Sequence, residues 1–187
     1  MLILASASPR RRELLHLITP DFIVDVSDVS EALPASISPA DAVETLALRK
    51  AQAVAARHGP DDTVIGSDTV VVLGGEILGK PHDRADAAAM LRRLSGRTHE
   101  VVTGAAVLSG AHKTVFHSAA LVTFAAMSEQ EIAAYLDTGE PFDKAGAYGI
   151  QGFGARYIER VEGDYPAVVG LPVHPLYAAL RRMGLLD

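Results

Sequence analysis

One apolar run constrains the fold most, because it reads as a buried strand, holds a single carboxylate and stops at a turn signal. The run from Val64 to Leu73 is rich in valine, contains Asp68, and is followed by Gly74-Gly75 and then by Glu76 to Leu78. Two glycines between β-type segments are typical of a tight hairpin turn. The sequence therefore predicts a buried strand with a short antiparallel return.

Helix and strand signals alternate along the rest of the 187 residues. Helices are predicted from Pro9 to Leu17, from Ser38-Pro39 to about His58, from Asp83 to about Leu94, from the capping box at Ser128 to before Gly139, and from Pro172 to Met183. Further strands are predicted at Leu2 to Ala5, Phe22 to Val26, His99 to Leu108, Thr114 to Phe124 and Tyr157 to Val161. Pro141 to Gly154 carries four glycines and no helical period, so it is predicted to be a structured loop. The pattern indicates an α/β or α+β fold with a mixed sheet, in one domain spanning residues 1–187 or in two lobes that share a cleft.

Composition excludes several classes of protein. The chain has no cysteine, which removes disulfide scaffolds, thiol nucleophiles and cysteine-ligated zinc. Its net charge of −6 argues against a dedicated nucleic-acid surface. No segment approaches the ~18–20 apolar residues that span a bilayer, and the N-terminal charges follow the apolar run instead of preceding it as in a secretory signal. We therefore expect a soluble, cytoplasmic protein that binds neither nucleic acid nor membrane.

The segment SASPRRR, which starts at Ser6, has the features of an anion site at a helix start. Ser8 is a good N-cap and Pro9 is favourable at the first helical position. The unpaired N–H groups of a first turn attract anions, and the planar guanidinium groups of Arg10 and Arg11 match phosphate oxygens. A capped surface helix with solvated arginines would have the same residues, and that alternative stays open here.

Four further charged residues are considered as candidates for a site. Asp68 lies inside an apolar run, where a carboxylate is costly unless it is paired or binds a metal; alternatively, it reaches the sheet edge. Lys80 lies between a glycine and a proline and could hold its ammonium over a cleft. From position alone, Lys50 reads as a solvated lysine on a helix, and Glu31 as a surface residue in a loop.

Gln151 lies among glycines in YGIQG, and glycines allow backbone to approach a ligand closely. A carboxamide offers both a donor and an acceptor, which suits the edge of a nucleobase. The seven histidines show no zinc-ligand spacing, and no G-x-S-x-G segment supports a serine nucleophile.

In combination, these segments resemble the Maf family of nucleoside triphosphate pyrophosphatases over nearly the whole chain. The segments that carry the resemblance are LASASPRRRELL from Leu4, LALRKA from Leu46, IGSDTV from Ile65, LGKP from Leu78, HEVVTG from His99, DKAGAYGIQG from Asp143 and VVGLP from Val168. The resemblance implies an inosine-triphosphatase-like fold, with an elongated mixed sheet and helices around a deep cleft. It also implies release of pyrophosphate that depends on a divalent metal, Mg²⁺ or Mn²⁺, and a homodimer.

The resemblance also implies roles for individual residues. The catalytic aspartate of the family falls on Asp68, and its essential polar shell falls on Ser8, Arg11, Glu31, Lys50 and Lys80. Arg10, Thr69 and Gln151 match the branch that acts on dTTP and UTP. On this basis Arg11, Lys50 and Lys80 contact phosphate oxygens and Glu31 and Asp68 hold the metal. Whether Asp68 removes a proton or orients a metal-bound water is open.

The function expected from the resemblance is hydrolysis of nucleoside triphosphates, preferentially dTTP and UTP or modified pyrimidine nucleotides, to the monophosphate and pyrophosphate. Two alternatives from other classes remain. One is a nucleotide-sensing regulatory protein linked to septum formation, and the other is a phosphomonoesterase that uses Asp68 as nucleophile. The products released from dTTP distinguish all three.

Overall fold

The computed structural model describes residues 1–34 and 36–186, and within them helices and strands are mixed. The strands are β1 (Leu2–Leu4), β2 (Ile23–Val24), β3 (Thr63–Leu73), β4 (Glu76–Leu78), β5 (Thr98–Ser109), β6 (His112–Phe124) and β7 (Ile158–Gly163). The α-helices are α1 (Pro9–His16), α2 (Pro39–Ala55), α3 (Arg84–Leu94), α4 (Glu129–Asp137), α5 (Tyr165–Val169) and α6 (Val173–Arg182). The predicted α/β class is confirmed.

The strands form one mixed sheet in the order β2-β1-β3-β5-β6-β7, with β4 paired to β3. β1 runs parallel to both β2 and β3, whereas β3 and β4 are antiparallel, as are β6 and β7. The turn between β3 and β4 has φ values of +60° at Gly74 and +86° at Gly75. Both angles are positive, as the central residues of a type I′ turn require, so the predicted hairpin is confirmed.

Contacts divide the chain into two compact units. The first comprises residues 1–69, 103–118 and the C-terminal part from Gly170; the second comprises residues 70–102 and 119–169. The strands β3, β5 and β6 contribute residues to both units. The arrangement of two lobes around a cleft stays a prediction.

In the first unit, α2 lies directly against the sheet because two strand glycines leave room for it. A Cβ built on Gly66 of β3 would overlap the carbonyl of Ala47, and one built on Gly104 of β5 would lie 2.5 Å from the carbonyl of Val43. The apolar residues buried at this contact are Ile3, Ala5, Ala47, Ala51, Val54, Val64 and Ala106. Small side chains on the helix and glycines on the strands thus set a short distance between α2 and β3.

The second unit has a separate core of larger side chains, which α3 and α4 share with β3, β5 and β6. Its buried members include Leu91, Leu94, Phe124, Ile132, Tyr135 and Tyr148. The N-cap of α4 is the predicted capping box: Ser128 accepts from the Glu131 N–H, and the Glu131 carboxylate accepts from the Ser128 N–H. The helix ends at the turn containing Gly139, whose φ is +76°.

The region from Pro141 to Gly154 differs in detail from the sequence prediction. It was predicted as a loop, but it contains or overlaps three short 3₁₀ segments, Glu140–Asp143, Ala145–Ala147 and Phe153–Tyr157. Each is too short to show a helical period in the sequence, and the same reason hides α5. Among the described residues, no helix has the length and apolar character needed to cross a membrane.

Candidate active site

The start of α1 has the predicted cap. Ser8 has extended backbone angles and its side chain accepts from the Arg11 N–H at 3.4 Å, with Pro9 as the first helical residue. The Ser8 N–H in turn donates to the Ser6 hydroxyl at 3.2 Å. Because α1 follows β1 directly, its first turn lies beyond the carboxyl end of that strand, which is the usual ligand side of parallel strands.

Arg11 is fixed across this helix start by three hydrogen bonds. Its Nε donates to the Gly170 carbonyl at 2.8 Å, its Nη1 to the Ser6 hydroxyl at 3.3 Å, and its Nη2 to the Thr69 hydroxyl at 3.1 Å. Burial lowers the pKa of the guanidinium; Asp68 opposes this shift, Arg10 adds to it, and Glu31 opposes it. The cation is thus held rigidly, with both carboxylates close enough to influence it.

Strand alternation explains why β3 contributes two different sets of contacts. Successive residues of a strand point to opposite faces, so Gly66 and Asp68 share one face while Ser67 and Thr69 share the other. Asp68 faces α2, and Thr69 contacts Arg11 and shares a 2.8 Å hydrogen bond with Thr103. The Thr69 hydroxyl is therefore already engaged in supporting Arg11.

Lys50 joins the two carboxylates that the resemblance assigns to the metal. Its Nζ lies 2.6 Å from Asp68 Oδ1 and 2.7 Å from Glu31 Oε1. The side chains of Lys50 and Asp68 are 13% and 11% exposed, whereas that of Glu31 is 57% exposed. The interpretation of Lys50 as a solvated surface lysine is therefore wrong, and the pairing expected of a buried Asp68 is present.

The same arrangement bears on metal binding. Since both carboxylate oxygens touch one ammonium nitrogen, at 2.6 and 2.7 Å, they lie at most 5.3 Å apart. No group of three or more histidine or acidic side chains within residues 1–34 and 36–186 is placed to hold a metal. Magnesium commonly takes one or two carboxylates from the protein and the remaining oxygens from phosphates and water, at about 2.0–2.1 Å. The donor chemistry of Glu31 and Asp68 therefore fits Mg²⁺ or Mn²⁺.

A neighbouring cation fastens the loop that carries Glu31. Arg49 precedes Lys50 on α2, and its Nη1 donates to the Ala32 carbonyl at 2.8 Å and to the Ser30 carbonyl at 3.5 Å. Adjacent residues of one helix thus hold the backbone and the carboxylate of the same loop. Arg49 was not predicted, because its only signal in the sequence is its position beside Lys50.

The structure brings most of the predicted residues together in the first unit. Those within it that contact one another, or lie on the same short segments, are Ser8, Arg10, Arg11, Glu31, Lys50, Asp68 and Thr69. Arg10 is partly buried on α1. Ser67 and Gly170 were not singled out, although the Ser67 hydroxyl lies 3.0 Å from the Gly170 carbonyl that also accepts from Arg11.

Lys80 and Gln151 belong to the second unit, and both are exposed. Lys80 follows β4 at Gly79, whose carbonyl accepts from the Gly146 N–H at 3.0 Å. Gln151 lies in the glycine loop, which we define as residues 149–154. The segment that carries Lys80 is therefore joined to Gly146, which lies shortly before the glycine loop in the same unit.

Comparison with known proteins agrees with this picture. A family model described as Maf-like protein matches residues 1–183. The chain is 52% identical to a dTTP/UTP pyrophosphatase of Symbiobacterium thermophilum over 183 residues, covering 98% of this chain and 94% of the relative. It is 51% identical to a dTTP/UTP pyrophosphatase of Bacillus cytotoxicus, covering 96% and 94%.

Solved structures support the fold. A Ham1 protein of Staphylococcus aureus superimposes with a TM-score of 0.56 at 18% identity, covering 97% of this chain and 98% of that one. A HAM1 protein of Coxiella burnetii gives a TM-score of 0.56 at 16% identity, with the same coverage. These likenesses show the predicted fold type, and the match over nearly the full length shows that the chain belongs to the Maf family.

Proposed function

We propose that this chain hydrolyses nucleoside triphosphates, with dTTP and UTP preferred, to the monophosphate and pyrophosphate. The relatives at about half identity are named for that activity. The single observation that carries the proposal is the Lys50 ammonium, which joins Glu31 and Asp68 in the unit that also holds Arg11. Cations and carboxylates at this density suit a polyphosphate with its metal.

The phosphate chain would be bound by groups with different geometries. The Arg11 guanidinium lies beside the first turn of α1, where the positive end of the helix dipole also favours anions. Lys50 and Lys80 are point charges that can neutralise phosphate oxygens. Lys50 would then exchange a carboxylate for a phosphate contact when substrate binds.

We further propose that Glu31 and Asp68 hold a divalent metal, Mg²⁺ or Mn²⁺. When bound, the ion would neutralise charge on the phosphates and supply a more acidic water. The two carboxylates would hold the ion, and the apolar run around Asp68 limits access of solvent to that side chain. Whether Asp68 itself accepts a proton is a separate question, which the pH dependence of kcat would answer.

We propose that Arg10, Thr69 and Gln151 select the base. The carboxamide of Gln151 can pair with the O4 and N3–H edge of uracil or thymine, and Arg10 supplies only donors, which favours an oxygen-bearing edge. Because an amide can flip, Gln151 alone would not exclude cytosine. Thr69 would couple these contacts to Arg11, whose guanidinium it accepts from.

Product analysis tests the proposal. Purified protein is incubated with dTTP, UTP or ATP and Mg²⁺ or Mn²⁺, and the nucleotides, pyrophosphate and orthophosphate are quantified. Monophosphate with pyrophosphate, faster for dTTP and UTP and abolished by a chelator, is the expected result. A diphosphate with orthophosphate would overturn it, and nucleotide binding without turnover would favour a regulatory protein. The homodimer, the cytoplasmic location and the absence of a nucleic-acid partner stay predictions.

A further inference from the structure

The carboxylate of Glu140 lies at the centre of the hydrogen bonds that shape the glycine loop. Its Oε2 accepts from the Phe153 N–H at 2.8 Å, and its Oε1 accepts from the Gly154 N–H at 3.1 Å and from the Tyr135 hydroxyl at 2.7 Å. One side chain thus satisfies two consecutive backbone donors of a loop that lies more than ten residues further along the chain.

Tyr135 extends the same network to the other end of the loop. Its hydroxyl donates to Glu140 and accepts from the Gly149 N–H at 3.0 Å. The Tyr135 side chain is 1% exposed and packs against the Tyr157 ring at 5.6 Å, so its position on α4 is fixed. Both ends of the loop that carries Gln151 are therefore tied to one carboxylate.

The glycines of the loop make room for this carboxylate. A Cβ built on Gly152 would overlap Glu140 Oε2, and a Cβ on Gly149 would lie 3.2 Å from Glu140 Oε1. A Cβ on Gly154 would lie 2.6 Å from the Tyr135 hydroxyl oxygen. The glycine spacing around Gln151 is thus matched to Glu140 and Tyr135 as well as to any ligand.

The electrostatics of Glu140 agree with a charged acceptor. Burial acts to raise the pKa of Glu140, but the hydrogen bonds from Tyr135, Phe153 and Gly154 outweigh it, so the pKa lies below the usual value. Lys144 fastens the same segment by donating to the Glu140 carbonyl at 2.7 Å. An ionised carboxylate accepts stronger hydrogen bonds than a neutral amide does.

We propose that Glu140 is a positioning residue for base selection, which holds Gln151 in the orientation that reads the pyrimidine edge. This inference rests on the proposed function, because it assigns Glu140 a role in the same substrate preference. Glu140 does not contact the base; it acts through the backbone on either side of Gln151. A loop held only for stability would instead change the activity toward every nucleotide alike.

The first test is Glu140→Gln in the full chain. A carboxamide has one acceptor oxygen, so its NH₂ must face either the Phe153 N–H or the Gly154 N–H, and one loop donor loses its partner. We expect the ratio of kcat/KM for dTTP to kcat/KM for ATP to fall about tenfold, as for loss of one hydrogen bond to a charged acceptor. The matched control is Glu129→Gln, the same change at an exposed residue of the same unit, which should leave the ratio unchanged.

A double-mutant cycle with Gln151→Ala identifies the route of the effect. If Glu140 acts through Gln151, Glu140→Gln should no longer change the dTTP-to-ATP ratio once Gln151 is absent. An equal fall in the ratio in both backgrounds would overturn the proposal, as would an unchanged ratio in the wild-type background. If Glu140→Gln does not fold, Tyr135→Phe decides, because it removes the link to Gly149 and keeps the buried ring.

The wild-type protein separates this inference from the proposed function. Absence of pyrophosphate release from dTTP by the wild type would overturn the function and, with it, this inference. Normal pyrophosphate release with a dTTP preference that neither Glu140→Gln nor Tyr135→Phe alters would overturn the inference alone.

Discussion

The two loops that carry predicted binding residues are held in opposite ways. The loop that contains Glu31 is fastened from outside, by the side chains of Arg49 and Lys50 on α2. The glycine loop is fastened from inside, where its own N–H groups donate to Glu140 and to Tyr135. The first arrangement depends on long cationic side chains with an exposed partner, and the second on the half-buried Glu140 carboxylate and the buried Tyr135 hydroxyl.

This difference suits the different roles proposed for the two loops. In the proposed site, the charges that hold Glu31 and Asp68 are those that a polyphosphate and its metal would recruit, so substrate binding would rearrange them. The glycine loop uses groups that the proposed substrate does not need, so its shape can be complete before the base arrives. One region is organised to exchange partners, and the other is organised to stay fixed.

The largest expected effect comes from breaking the first region at Asp68. Asp68→Asn keeps the size of the side chain but removes the negative charge that pairs with Lys50 and that the proposed metal would require. We expect kcat to fall by about 10²–10⁴-fold, the range for loss of a group that acts on the reacting proton. Steady-state kinetics with dTTP measures it, and Asp61→Asn, at an exposed aspartate, is the control. Near-normal turnover would make Asp68 structural.

Acid should destabilise the second unit through His99, whose partner Tyr148 immediately precedes the glycine loop. Its Nε2 lies 2.7 Å from the Tyr148 hydroxyl, and its Nδ1 has no hydrogen-bond partner in the part of the chain that the structure describes. Burial lowers the pKa of His99 from 6.5 to about 4. Between these pH values His99 is therefore protonated in the unfolded chain and neutral in the folded chain. The stability is complete above pH 6.5 and falls by up to about 3 kcal/mol as the pH decreases to 4.

Urea denaturation at several pH values measures this loss. His99→Gln is the matched variant, because it keeps an acceptor for Tyr148 and does not titrate. Exposed carboxylates with lowered pKa, such as Glu76, contribute equally to both proteins and cancel in the comparison. The wild type should lose more stability than the variant on acidification. Parallel curves would mean that His99 is protonated without cost.

Local signals allowed much of the fold to be predicted. Ser8, Asp83 and Ser128 are caps whose partners lie within three residues, and Gly74-Gly75 is a turn whose geometry is internal. Asp68 was found because a carboxylate inside an apolar run requires an explanation. In each case the interactions that decide the structure lie within a few residues in the sequence.

The remaining parts of the site depend on contacts between distant segments. Lys50 looks like a surface lysine until Gly66 lets α2 approach β3, so the resemblance and not its position identified it. Glu140 lies just before DKAGAYGIQG, but its partners are backbone N–H groups, which leave no pattern in the sequence. The only signal for Glu140 in the sequence is that a carboxylate precedes a run of closely spaced glycines.

A smaller effect is expected at the base-reading end of the second region. Gln151→Ala removes the carboxamide and leaves the hydrogen bonds of Glu140 to the glycine loop intact. We expect dTTP to lose about 1–3 kcal/mol more than ATP in the free energy that corresponds to kcat/KM, as for loss of a pair of base contacts. Competition between the two nucleotides measures this difference. Equal losses for both would mean that Gln151 supports the loop and does not read the base.

The smallest effect is expected at Arg49, which holds the loop that contains Glu31 through backbone carbonyls alone. Arg49→Met removes the hydrogen bonds to the Ala32 and Ser30 carbonyls and leaves Lys50 in place. Losing about 0.5–1.5 kcal/mol of support should raise the Mg²⁺ concentration for half-maximal activity roughly two- to tenfold, with kcat at saturating Mg²⁺ nearly unchanged. Arg84→Met is the control, since Arg84 donates to the Ala133 carbonyl at 3.3 Å and to Asp137 at 2.7 Å, in the unit that contains neither Glu31 nor Asp68. A similar shift in both variants, or a fall in kcat without a shift, would show that Arg49 does not position Glu31 for the metal.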